Sequence, residues 1–138
     1  MKQPEEHGRT ASMSVRFADI VGVVLGGIAG TLVNSIAVSL VVGAPYMELV
    51  TSWGKYVVAI AVAATFIWFY AKTPTTVAAV LSLFTGIIVP SIIAKGVFGA
   101  EAGWATVFML NAIYAVVALF VYRSVHGAMS GANRTHPE

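Results

Sequence analysis

The sequence predicts an all-α membrane protein: four transmembrane helices in an antiparallel up-down bundle, with both termini on the cytoplasmic side. Three observations carry this expectation. Four long apolar stretches fill residues 17–122 of the 138-residue chain, and no Lys, Arg, Asp, Glu or His lies deep inside any of them; runs of that length are the mark of bilayer-spanning helices. The composition is 58% hydrophobic and 10% charged, whereas roughly a quarter of the residues of a soluble domain are charged. Short polar connections separate the stretches, so consecutive helices become neighbours of opposite direction.

Residues 1–16 are polar and read as a disordered cytoplasmic tail. The first span runs from about residue 20 to 43, roughly 36 Å at about 1.5 Å per residue, enough to cross a hydrocarbon core of about 30 Å with tilt. Val42-Gly43-Ala44 offers small residues for signal cleavage, but the apolar run is about twice the length of a signal core and its leader carries Glu5, Glu6 and Asp19. The span is therefore expected to be retained. The second, third and fourth spans cover about 53–70, 76–94 and 104–122. Ala71-Lys72-Thr73-Pro74-Thr75 forms a tight turn with proline as the stop and restart signal. Residues 123–138, rich in Gly, Ser and Asn, read as a second disordered cytoplasmic tail.

Orientation follows from the bases. With both termini inside, Lys2, Arg9, Arg16, Lys72, Arg123 and Arg134 are cytoplasmic and only Lys55 and Lys95 lie outside, as the positive-inside rule demands. Tyr46, Trp53, Tyr56 and Trp104 form the outer aromatic belt, and Phe17, Trp68, Phe69, Tyr70 and Tyr122 the inner one. The expected location is a cell membrane, multi-pass, of the bacterial inner-membrane type. The bases are scattered singly, so the pI near 9.1 does not point to nucleic acid. With no cysteine, disulfides and thiolate chemistry are excluded.

Gly22, Gly26 and Gly30 recur every four residues in the first span and form a helix-packing groove. Lipid offers no hydrophobic drive for helices to associate, so close backbone approach along such a groove matters. The groove serves as an internal seam of the bundle, as a surface for a second copy or another membrane protein, or as a set of hinges for a gating motion. A small-residue row in the third span, Ala78, Ser82, Gly86, Pro90 and Ala94, is its counterpart. Pro90 cannot donate to the carbonyl of Gly86, which predicts a helix kink with Ser91 or a neighbouring helix helping to satisfy the freed group.

Thr31, Asn34, Ser35, Ser82, Thr85 and Asn111 are polar groups within apolar sequence. They are candidates for interhelical hydrogen bonds or for a polar path, and Asn34 and Asn111 sit at depths that let them meet. Asp19 lies near the cytoplasmic edge and is expected to pair with Arg16, the alternative being a cation or proton entry point. His7, His126 and His136 sit in tails or at a helix end without metal-ligand spacing.

An internal repeat is also visible. Moving residue 30 onto residue 86 aligns Gly30/Gly86, Val33/Val89, Ser35/Ser91, Ile36/Ile92, Val41/Val97, Gly43/Gly99 and Ala44/Ala100. The second and fourth spans match only as Ala-Ile at 59 and 60 against 112 and 113. A parallel repeat of a two-helix hairpin is geometrically allowed, an arrangement found in some transporters and produced equally by duplication in inert bundles.

In length and number of spans the chain resembles the small multidrug resistance transporters. The resemblance ends there. Those proteins exchange protons for cationic drugs through a membrane-embedded glutamate in the first helix, and the matching region here offers Gly26, Gly27, Thr31, Asn34 and Ser35. Proton-coupled export by that mechanism is not expected. Catalysis needs positioned acids, bases, nucleophiles or a cofactor, none of which the sequence groups together, so neither an enzyme nor a cofactor is expected. The expectation is a non-catalytic integral membrane protein acting through helix packing, as an accessory, assembly or stabilising subunit. The alternative is an oligomeric small channel or uncoupled carrier for a neutral or weakly polar solute.

Overall fold

In the computed structural model, which describes residues 17–134 and their side chains to 129, every apolar stretch is helical. The elements are α1 (Phe17–Val42), α2 (Tyr46–Thr51), α3 (Trp53–Lys72), α4 (Thr75–Gly96) and α5 (Trp104–Arg134). Four of them, α1, α3, α4 and α5, are long and apolar enough to cross a membrane, as in a multi-pass membrane protein. Residues 1–16 and 135–138, where the sequence placed tails, lie outside the described residues, and so does the Arg16 half of the expected Arg16–Asp19 pair.

Two elements differ from expectation. The connection 44–52 holds the six-residue α2, started by Pro45 and stitched by the Thr51 hydroxyl, which donates to the Met47 carbonyl at 2.6 Å. Tyr56 Oη donates to the Val50 carbonyl at 2.8 Å and holds this short helix against α3. At the other end, α5 does not stop at Tyr122 but continues to Arg134, so most of the expected C-terminal tail is helix. The extension has partners: the Arg123 guanidinium lies 4.4 Å from the centre of the Tyr70 ring, and His126 reaches Asp19.

The four long helices form a ring in which α1 packs on α3 and α5, and α4 packs on the same two; α3 and α5 also approach each other across the middle. The α1–α5 interface is the most extensive, and glycine is the reason. A Cβ on Gly26 would sit 2.7 Å from the Ala118 carbonyl oxygen, one on Gly22 2.9 Å from Tyr122 Cδ2, and one on Gly30 2.7 Å from Tyr114 Cδ2. The groove is thus filled by the last helix of the same chain. As residue number falls along α1 through 30, 26 and 22, it rises along α5 through 114, 118 and 122. Ala59, Ala63, Phe66, Ala115, Ala118 and Tyr122 close the core. Tyr122, expected in an interfacial belt, is 2% exposed and stacks edge-on against Phe66, whereas Trp53, Trp68 and Trp104 are exposed.

α4 passes through Pro90 within one continuous helix. Ser91 does not relieve the carbonyl of Gly86; its hydroxyl donates to the Ile87 carbonyl. The α4–α5 connection is held by Lys95, whose ammonium donates to the Ala102 carbonyl at 2.7 Å and lies over the Trp104 ring.

Candidate functional site

The helices part at the end of the bundle where α1 leads into α2 and α4 leads into α5, enclosing a cavity of about 440 Å³. That volume falls within the range of small-molecule sites, about 300–1,000 Å³. Its walls are mostly apolar, with Thr31, Asn34, Lys55, Asn111 and Tyr114 as polar features inside and Glu48 and Glu101 among the lining residues. Both glutamates are exposed. Below the cavity the space ends: the Tyr114 hydroxyl donates to the Ala59 carbonyl across the middle of the ring, and Phe66 and Tyr122 fill what lies beyond. Such a floor closes the bundle to a through-path in this arrangement.

The polar side chains singled out by the sequence divide into two groups. Thr31, Asn34 and Asn111 line the cavity; Ser35, Ser82 and Thr85 do not. Thr31 donates back to the Gly27 carbonyl at 2.8 Å. Asn34 and Asn111 do not bond each other as their depth implied. Asn34 Nδ2 donates to the Leu110 carbonyl at 2.7 Å, and Asn111 Nδ2 donates to Ser91 Oγ at 3.0 Å. Ser35, fully buried, accepts from Lys55 Nζ at 3.2 Å. Ser82 is also fully buried, and among the described residues its hydroxyl is the one buried side-chain polar atom without a hydrogen-bond partner. Thr85 is half-buried on α4.

Lys55 was expected in an outer loop facing water. It instead lies in the first turn of α3 with its ammonium turned inward to Ser35. Lysines near a helix end ordinarily reach outward to water, so this direction is informative.

Several contacts fall on positions related by the shift that carries residue 30 onto 86. Lys55 donates to the serine 20 residues before it, and Asn111 does the same. The two serines, 35 and 91, are the pair aligned by moving residue 30 onto 86, and the same shift carries 55 onto 111. It also carries Phe66 onto Tyr122, which stack on each other, and Gly43 onto Gly99, the two glycines of positive φ among the described residues, at 79° and 66°. Asn34/Pro90, Val38/Ala94, Val42/Phe98, Lys55/Asn111 and Val58/Tyr114 are all equivalent pairs with both members on the cavity wall. The second and fourth spans therefore follow the same shift as the first and third, and the Ala-Ile match at 59 and 112, three residues out of step, does not set their register.

No family model, curated protein or solved structure matches this chain. The site must be read from its own geometry.

A second polar cluster lies at the opposite end of α1. Asp19, 9% exposed, meets His126 Nε2 at 3.0 Å and accepts from Tyr122 Oη at 3.3 Å. The rings of Tyr70, Tyr122 and His126 stack around it. The sequence put His126 in a tail or at a helix end, without metal-ligand spacing. The signal was present, though: Tyr114, Ala118, Tyr122 and His126 recur every four residues and form the complement of Gly30, Gly26, Gly22 and Asp19.

Proposed function

We propose that this protein is a small uncoupled carrier built from two equivalent helical hairpins, with the cavity as its solute-binding site. In this reading the bundle is an antiparallel up-down one in a bacterial inner membrane, with both termini cytoplasmic and the cavity facing outward. The observation that carries it is the set of five equivalent pairs around the cavity. Carriers made of parallel repeats hold their solute at the repeat interface and expose it alternately by moving one repeat against the other. The floor of Tyr114, Phe66 and Tyr122 is then the closed inner gate of an outward-facing state.

The unpartnered Ser82 hydroxyl supports the same reading. It lies between the cavity and the α3–α4 turn, and a buried hydroxyl without a partner costs about 1–3 kcal/mol. Opening the inner end would let water reach it and return that cost. An accessory or assembly role calls for an outward packing surface, and the glycine row that the sequence offered for one faces α5 of the same chain.

The absence of cysteine makes the test clean. Single Asn111→Cys and Ser82→Cys variants in sealed vesicles of known sidedness are treated with a membrane-impermeant maleimide. A carrier gives labelling of the Asn111→Cys variant from the outside and slower labelling of the Ser82→Cys variant from the inside. A Ser82→Cys thiol that stays inert from both sides, in protein that is folded, leaves a static bundle and overturns the proposal.

A further inference from the structure

The two halves of the cavity are equivalent in position but not in charge. One half places Lys55 where the other places Asn111. Ser35 is neutral and takes one of the three ammonium hydrogens. Among the described residues no carboxylate forms a salt bridge with Lys55. An ammonium drawn partly out of water in the first turn of an apolar span is costly unless an opposite charge and further hydrogen bonds meet it.

The donors around it are largely engaged. The hydroxyls of Thr31 and Tyr114 donate to backbone carbonyls, and the amide nitrogens of Asn34 and Asn111 donate to Leu110 and Ser91. What the cavity leaves open is the remainder of the Lys55 ammonium and the carboxamide oxygens of Asn34 and Asn111, neither of which takes a hydrogen bond from the described residues. The rest of the wall is apolar, with Val38, Val58 and Ile93 among it.

We infer that the solute is a small amphipathic organic anion: an acidic head on Lys55, an apolar body against the valine and isoleucine wall, and any hydrogen-bond donor it carries turned to Asn34 and Asn111. This inference rests on the carrier reading and adds the chemical class to it. Glu48 and Glu101 are exposed and water screens them, so they shape the approach of the anion, and among the described residues neither forms an ion pair with the half-buried Lys55. The same acidic head on an apolar body is offered by a free organic acid and by an anionic phospholipid.

The test compares three probes with one apolar body and different heads: hexanoate, 1-hexanol and hexyltrimethylammonium. Affinity for the purified protein in polymer discs is read by ligand-observed NMR, on the native chain and on the Lys55→Gln and Lys55→Arg variants. Hexanoate should bind about tenfold more tightly than hexanol, since a hydrogen bond to a charged group contributes about 1.5–3 kcal/mol. Lys55→Gln should bring the two within about twofold, and Lys55→Arg, which keeps the charge, should preserve the preference and show that the site still folds.

Equal binding of all three heads, preference for the ammonium, or a hexanoate preference that survives Lys55→Gln in folded protein overturns the inference and leaves the carrier reading standing. Binding by none of the three also overturns it, and the Ser82→Cys labelling then decides the carrier reading separately. Native mass spectrometry of freshly extracted protein separates the two sources. A retained anionic phospholipid displaced by hexanoate assigns the anion to the lipid, and lipid-free protein that takes up hexanoate assigns it to the free acid.

Discussion

Lys55 and Asn111 stand at positions related by the shift that carries Ser35 onto Ser91, and each donates to the serine 20 residues before it. Replacing one by the other should therefore be structurally mild. Lys55→Asn is expected to change stability by less than about 1 kcal/mol, because it gives up one hydrogen bond to Ser35 and removes a half-buried cation. Reversible unfolding in discs measures this, and a loss of several kcal/mol would show that the two halves are not interchangeable there.

Gly26→Leu should be far more damaging. The first atom of the new side chain already falls 2.7 Å from the Ala118 carbonyl oxygen, a backbone atom that cannot swing aside. Overpacking typically costs about 1–3 kcal/mol, and the upper end or beyond is expected here. The defect should appear as failed folding of the single chain. A stable, folded Gly26→Leu protein would remove the groove's role.

Ser82→Ala removes the buried hydroxyl that has no partner. It should be neutral or stabilising by about 1 kcal/mol, and in the carrier reading it should bias the protein toward the outward-facing state and speed outer-side labelling of Asn111→Cys. Thermal unfolding of Ser82→Ala checks the first part, and labelling kinetics of the Asn111→Cys/Ser82→Ala double variant against Asn111→Cys alone check the second. Marked destabilisation would mean that the hydroxyl is bonded after all.

Asp19 and His126 are joined across more than a hundred residues of sequence. A double-mutant cycle with Asp19→Asn and His126→Gln should return a coupling of about 1 kcal/mol, within the range measured for contacting polar pairs. No coupling would make the C-terminal extension of α5 incidental to the fold.

Much of this fold was legible because its determinants are local. Apolar length marks the four long helices, Pro74 marks a helix start, and the Gly22, Gly26 and Gly30 row marks a close approach. The partner of that row was not legible, since nothing near residue 22 says that Tyr122 will meet it. Lys55 was misread for the same reason: near the start of a span a lysine has water within reach, and only the position of Ser35 on another helix explains the inward turn. The repeat was visible where residues are identical, as at Ser35 and Ser91. It was invisible where one position holds Lys and its equivalent holds Asn, or Phe and Tyr, because those pairs share a place in space and not a letter. The cavity, made by the ends of helices that part, leaves no pattern in any single helix.

Gly43 and Gly99 touch nothing: a Cβ added at either would find no atom within 4 Å. Packing is therefore silent at both positions, yet their backbones, at φ of 79° and 66°, lie where an L-residue is strained by about 1–2 kcal/mol. A saturation scan should find two exposed sites that favour glycine, disfavour alanine and β-branched residues most, and accept asparagine best among the rest. The tolerance profile of this protein will mark the torsion of two bends as clearly as any side chain it buries.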